Sequence, residues 1–88
     1  MQNAIIANKQ NQYMYCGVRL DNTDRIYSYR VENNFIKNRL KIGDVVDVPV
    51  SNSKNGSYAL VEKIGFFNRE NAPYPPEKTR MVLSIVTL

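Results

Sequence analysis

The sequence predicts an all-β domain, a small five-stranded β-barrel with one short helical turn in the bridge between its second and third strands. Three observations carry this. Five short segments alternate apolar with polar residues, or read as apolar and aromatic runs, as strands with one buried face do. Clusters of Asn, Asp, Ser, Gly and Pro separate them. At 88 residues the chain has room for one domain (1–88) and one core, burying about 60–65% of its unfolded surface. Closing the sheet removes the exposed edges that a flat one would leave.

Residues 13–20 (YMYCGVRL) make the first strand and end on Asp-Asn-Thr-Asp, whose side chains hydrogen-bond their own backbone in turns. Residues 25–31 (RIYSYRV) alternate, with Tyr27, Tyr29 and Val31 on one face and Ile26, Ser28 and Arg30 on the other. The bridge ENNFIKNRLKIG spaces Phe35, Ile36, Arg39 and Leu40 almost helically, yet holds only a turn or two of helix before Gly43. Residues 44–50 form the third strand, where Pro49 belongs at a position needing no ladder donor. SNSKNGS reads as a loop. Residues 58–67 (YALVEKIGFF) form the fourth strand, with Gly65 marking a bulge or bend. After the loop NRENAPYPPEKT, residues 80–88 (RMVLSIVTL) supply the last strand. Residues 1–12 are either a flexible lead or an added strand. Pattern alone leaves SH3-like and OB-like barrels both open.

Composition narrows the function classes. Hydrophobic residues at 43% and charged ones at 23% describe an ordinary globular domain. Cys16 is the only cysteine and there is no histidine, so neither an internal disulfide nor a thiolate-rich metal site can be built. No imidazole activates the thiol, and Cys16 reads as a buried structural residue in a reducing cytoplasm. The carboxylates are scattered through turns, without a nucleophile–base or acid–base pair. The expectation is a non-catalytic protein with no cofactor, metal or small-molecule substrate. The AIIA run near the N-terminus is too short for a signal peptide or a membrane span.

Twelve basic against eight acidic residues give a net charge of +4 and a pI near 9.4, which favours a polyanion where the excess is clustered. The densest cluster is Arg25, Arg30, Lys37, Arg39 and Lys41. It is interleaved with Tyr27, Tyr29 and Phe35 and opposed by Asp24 and Glu32. Cations that track a backbone beside aromatic stacking platforms are what a single strand requires. A solvated charged face and tyrosines that brace the core are the competing reading. Arg69, Lys78 and Arg80 flank APYPP, either a rigid connector or a recognition loop with Tyr74 at its tip.

The order of motifs carries a resemblance. Tyr27-Ser28-Tyr29, then LKIGDVVDVPV (residues 40–50), YALVEKI (58–64) and KTRMVLSIV (78–86) together look like the N-terminal DNA-binding domain of the primosomal replication-restart helicase PriA. The likeness runs from about Gly17 to Val86. It implies a small barrel that takes the 3′ end of a DNA strand in a pocket built from an aromatic-Asp-Tyr triplet, a glycine after the Val-Pro strand and a basic residue opening the last strand. Position by position, the triplet falls on Tyr27, Ser28 and Tyr29, the glycine on Ser51 and the basic residue on Arg80. Ser28 thus stands where the family has an acid, and Ser51 where it has glycine.

A helicase of that family is many times longer, and no Gly-Lys-Ser/Thr phosphate loop occurs here, so the chain is no motor. The reading is a cytoplasmic nucleic-acid-binding module for single-stranded or 3′-terminal DNA, accessory to replication, from a bacterium or from a phage or other mobile element. Its expected contacts are Tyr27, Ser28, Tyr29, Ser51 and Arg80, with Arg30, Lys37, Arg39 and Lys41 on phosphates. About four such contacts predict a log–log salt slope near −3. The alternative is a protein–protein interaction module, docking a host or phage protein through a barrel edge or the APYPP loop after losing DNA-end recognition. A third reading, a subunit of a larger particle, predicts self-association.

Overall fold

Alternation along the strands decides the architecture. The computed structural model describes residues 12–20, 24–50 and 53–87, the side chains of 53–55 excepted. Among them, five strands form one antiparallel sheet with little helix: β1 (Tyr13–Leu20), β2 (Ile26–Val31), β3 (Val45–Val50), β4 (Ser53–Phe67) and β5 (Ser84–Ile85), with α1 (Asn34–Arg39) between β2 and β3. Strand order is β2-β1-β4-β3-β5. Met14, Cys16 and Val18 of β1, Tyr29 and Val31 of β2, Val46 and Val48 of β3, and Ala59 and Val61 of β4 share the buried face. Ile36, Leu40 and Val82 join them. Each large apolar side chain so buried contributes about 1.5–3 kcal/mol.

The bridge is built from local chemistry. Asn33 Oδ1 accepts the Ile36 N–H at 3.2 Å, satisfying one of the amides that a helix start leaves over. The helix ends at Leu40, whose backbone is extended. Asp44 N–H then donates to Lys41 O at 3.1 Å, and Gly43 at φ +99° supplies the left-handed residue that such a turn needs.

Asp44 is buried, and its carboxylate accepts both the Lys41 N–H at 3.0 Å and the Lys41 ammonium at 3.1 Å. Burial alone pushes this carboxyl up. The two Lys41 hydrogen bonds and the Lys41 charge outweigh burial and hold it below its usual range. A carboxyl lowered in the folded state stabilises fully above its unfolded-state pKa, near 4, and loses that contribution as pH falls through the lower folded value. We expect the urea midpoint to fall through that acid window, and Asp44→Asn to be less stable at neutral pH and flatter in pH.

Four details differ from the sequence reading. The expected loop over residues 51–57 is mostly strand, because β4 begins at Ser53, paired with Val50. The extra residues are absorbed at a register shift between Val48 and Val50, with Pro49 at the irregularity and Gly56 at φ +74°. A Cβ at Gly56 would lie 2.9 Å from the Val48 carbonyl oxygen, so glycine is required there on two counts. The bulge falls not at Gly65, which stays in register with Tyr15, but at Glu62, between the Gly17–Lys63 and Val18–Val61 pairs. Arg19 reaches over it to pair with Glu62 at 2.6 Å. Gly65 serves packing instead, since a Cβ there would press on the Phe67 ring at 2.8 Å, and Phe67 meets Tyr15 edge to face.

The expected last strand over 80–88 is divided. Met81 makes one parallel bridge to Arg30, whereas only Ser84–Ile85 enter the sheet, against β3. The ladder is therefore open. Residues 80–82 meet the β2 edge at Arg30 and residues 84–85 pair with β3 as β5, without closing the two edge strands, β2 and β5, into one continuous set of hydrogen bonds. Residues 1–11 lie outside the described residues.

Candidate nucleic-acid interface

The open edge of β2 creates the site. Tyr27 and Tyr29 stand opposite Val18 and Cys16 on the core face of the sheet, and Ser28 stands opposite Gly17. Arg30 turns its peptide away from β1: its N–H donates to Arg80 O at 2.8 Å, and its carbonyl accepts the Val82 N–H at 2.9 Å. Alternate residues of an antiparallel strand point their peptide groups the same way, so Ser28 presents its N–H and C=O on that same side. Beyond Arg30 the two segments diverge, and a groove of about 950 Å³ opens between β2 and the loop of residues 73–80.

One wall is Arg25, Ile26, Tyr27, Ser28 and Tyr29, and the other is Pro73, Tyr74, Lys78, Thr79 and Arg80, with Leu20 and Val50 between. Three distant parts of the sequence meet there. The lining carries three cations, Arg25, Lys78 and Arg80, and no carboxylate among the described residues. In a concave site such a one-signed lining focuses a positive potential on the cavity.

The aromatic residues divide by role. Tyr29 is 6% exposed and its hydroxyl donates to Pro49 O at 2.8 Å, so its ring is a wall of the core with only its rim in the groove. Burial raises the Tyr29 phenol above its usual pKa, against the opposing charge of Arg80. Tyr27 is half-buried against the core. Tyr74 is 62% exposed and offers the most open ring in the groove.

The loop that carries Tyr74 is tied down before any ligand arrives. Tyr15 donates its hydroxyl to Tyr74 O at 2.7 Å, Arg30 donates to Pro76 O at 2.7 Å, and Thr79 donates its hydroxyl to Pro75 O at 2.7 Å. Pro76 is buried, and Arg69 pairs with Glu77 across the loop at 2.5 Å. A wall ordered in advance lowers the entropic cost of binding. APYPP is thus a braced connector whose tyrosine ring remains outside.

Of the residues expected to contact DNA, Tyr27, Ser28, Tyr29 and Arg80 come together in this groove. Ser51 lies outside the described residues, although Val50 beside it reaches the groove. Arg30 is not on the lining. It is occupied with Pro76 O and with Glu32 at 2.9 Å, and it lies over the Tyr13 ring. Lys37 and Arg39 sit on α1 and Lys41 in the turn after it, also off the lining. Arg25, Lys78 and Tyr74 are the charged and aromatic groove residues that the expected contact set left out. Their signal was present in the APYPP loop with Tyr74 at its tip, in Lys78 among the cations that flank it, and in Arg25 at the start of the dense basic stretch.

Cys16 is 1% exposed and its thiol is pushed up to about 12 by burial. Among the described residues no three of His, Cys, Asp and Glu gather into a metal-binding group, and no helix is long and apolar enough to cross a membrane. No family model, curated protein or solved structure matches the chain.

Proposed function

We propose that this protein is a non-catalytic module that binds single-stranded or 3′-terminal DNA in the groove between β2 and residues 73–80. One observation carries the reading: the groove joins Tyr27, Ser28, Tyr29 and Arg80 to Arg25, Lys78 and Tyr74 with no carboxylate on the described lining. Phosphates lie along Arg25, Lys78 and Arg80, and a base rests on the Tyr74 ring or the exposed part of Tyr27. Stacking of this kind is worth about 1–3 kcal/mol per base and tolerates any base. The PriA-like resemblance supports a strand terminus as the ligand, and residues 80–85, which meet β2 at one side of the sheet and β3 at the other, support a barrel in kind. The lack of histidine and the buried, protonated Cys16 support a role in binding rather than catalysis.

The test is fluorescence anisotropy of a short labelled single strand, with its 3′ end either free or phosphorylated, at several salt concentrations. Three phosphate contacts predict a log–log slope of about −2, shallower than the larger cation set of the sequence reading. A free end binding more tightly than a blocked one supports the terminal mode. Equal binding of both ends reduces the reading to a strand-tracking groove. No binding at low salt overturns it.

A further inference from the structure

Outside the groove, the short helical bridge carries a second surface of different chemistry. Ile36 and Leu40 turn into the core, while Phe35 is 61% and Ile42 65% exposed. Both are large apolar residues that the core does not use. The Arg39 guanidinium lies 3.9 Å from the Phe35 ring centroid. Arg19, Arg30, Lys41 and Arg69 each meet a carboxylate, but among the described residues no carboxylate pairs with Lys37 or Arg39.

We propose that this surface, centred on Phe35 and Arg39, docks an acidic peptide segment of a partner protein that also carries aliphatic side chains. A guanidinium held over an aromatic ring still has N–H donors to offer a carboxylate, and it loses less freedom on binding than one that is unsupported. Phe35 and Ile42 supply apolar contact for aliphatic side chains between the acids. Arg39 occupies one face of the Phe35 ring, and an oligonucleotide is the competing occupant that the test includes. The proposal does not depend on the groove.

Two labelled peptides test it: a short one alternating Asp and Leu, and the same peptide with Asn for Asp, each titrated with the full chain by anisotropy. The Asp peptide is expected to bind and the Asn peptide to fail. Arg39→Lys keeps the charge but loses the stacked fork, and is expected to weaken the Asp peptide about tenfold with an unchanged urea midpoint. Excess single-stranded oligonucleotide is expected to leave the peptide bound. Failure of the Asp peptide to bind, equal binding by Arg39→Lys, or displacement by the oligonucleotide would each overturn the proposal.

Discussion

Arg80→Glu is expected to weaken single-strand binding by about 10- to 100-fold at low salt and by progressively less as salt rises. Arg80 is exposed and lines the groove, and what it gives the fold is its backbone carbonyl, bonded to the Arg30 N–H. The side-chain change leaves that bond in place. Stability should therefore stay within about 0.5 kcal/mol of the parent, so that lost binding reports the groove and not the fold. Reversing Lys37, which lies off the lining, serves as the control of equal charge change and should alter binding little. If both reversals weaken binding alike, the interaction is diffuse attraction to a basic protein and not capture in a groove.

Tyr29→Ala is expected to destabilise the fold by about 3–5 kcal/mol, the cost of emptying an aromatic site in a core. Tyr29→Phe, which removes only the hydrogen bond to Pro49 O, should cost about 0.5–1.5 kcal/mol. Urea denaturation of the pair checks both figures. The contrast matters for function, because the aromatic triplet offers Tyr29 as a stacking residue and its burial among Cys16, Val31 and Val48 makes it structural. Tyr74→Ala should show the opposite profile, with weaker DNA binding and an unchanged urea midpoint, since the loop is anchored through the Tyr74 backbone carbonyl.

Period-two alternation made β2 and β3 legible, because a sheet with one buried face imposes that pattern. The apolar and aromatic run over β1 was legible on composition. The helical bridge showed through Ile36 and Leu40, four residues apart and both buried. The early start of β4 was hidden, since a polar Ser-Asn-Gly run reads as a loop unless its pairing with Val50 is known. The bulge at Glu62 was hidden for a similar reason: bulges follow from register between strands, and Gly65 draws attention by residue type alone.

The site was legible to the extent that its residues are near neighbours in sequence. Tyr27, Ser28 and Tyr29 are adjacent, and Arg80 came from the order of motifs. The separation of Arg30 from the groove was not legible. On paper Arg30 is one more cation in a basic stretch, and only the fold shows its guanidinium turned to the Pro76 carbonyl and to Glu32. Tyr74 was legible only as one of two readings, because prolines on both sides explain a rigid connector without indicating which way the ring points.

Amide chemical shifts of the labelled protein, followed during titration with a short single-stranded oligonucleotide bearing a free 3′ end, test the central claim most directly. The account predicts that the largest changes fall on residues 25–29, Tyr74 and residues 78–80, with small ones on α1. Changes concentrated on α1, changes spread evenly over basic residues, or no changes at low salt would contradict it.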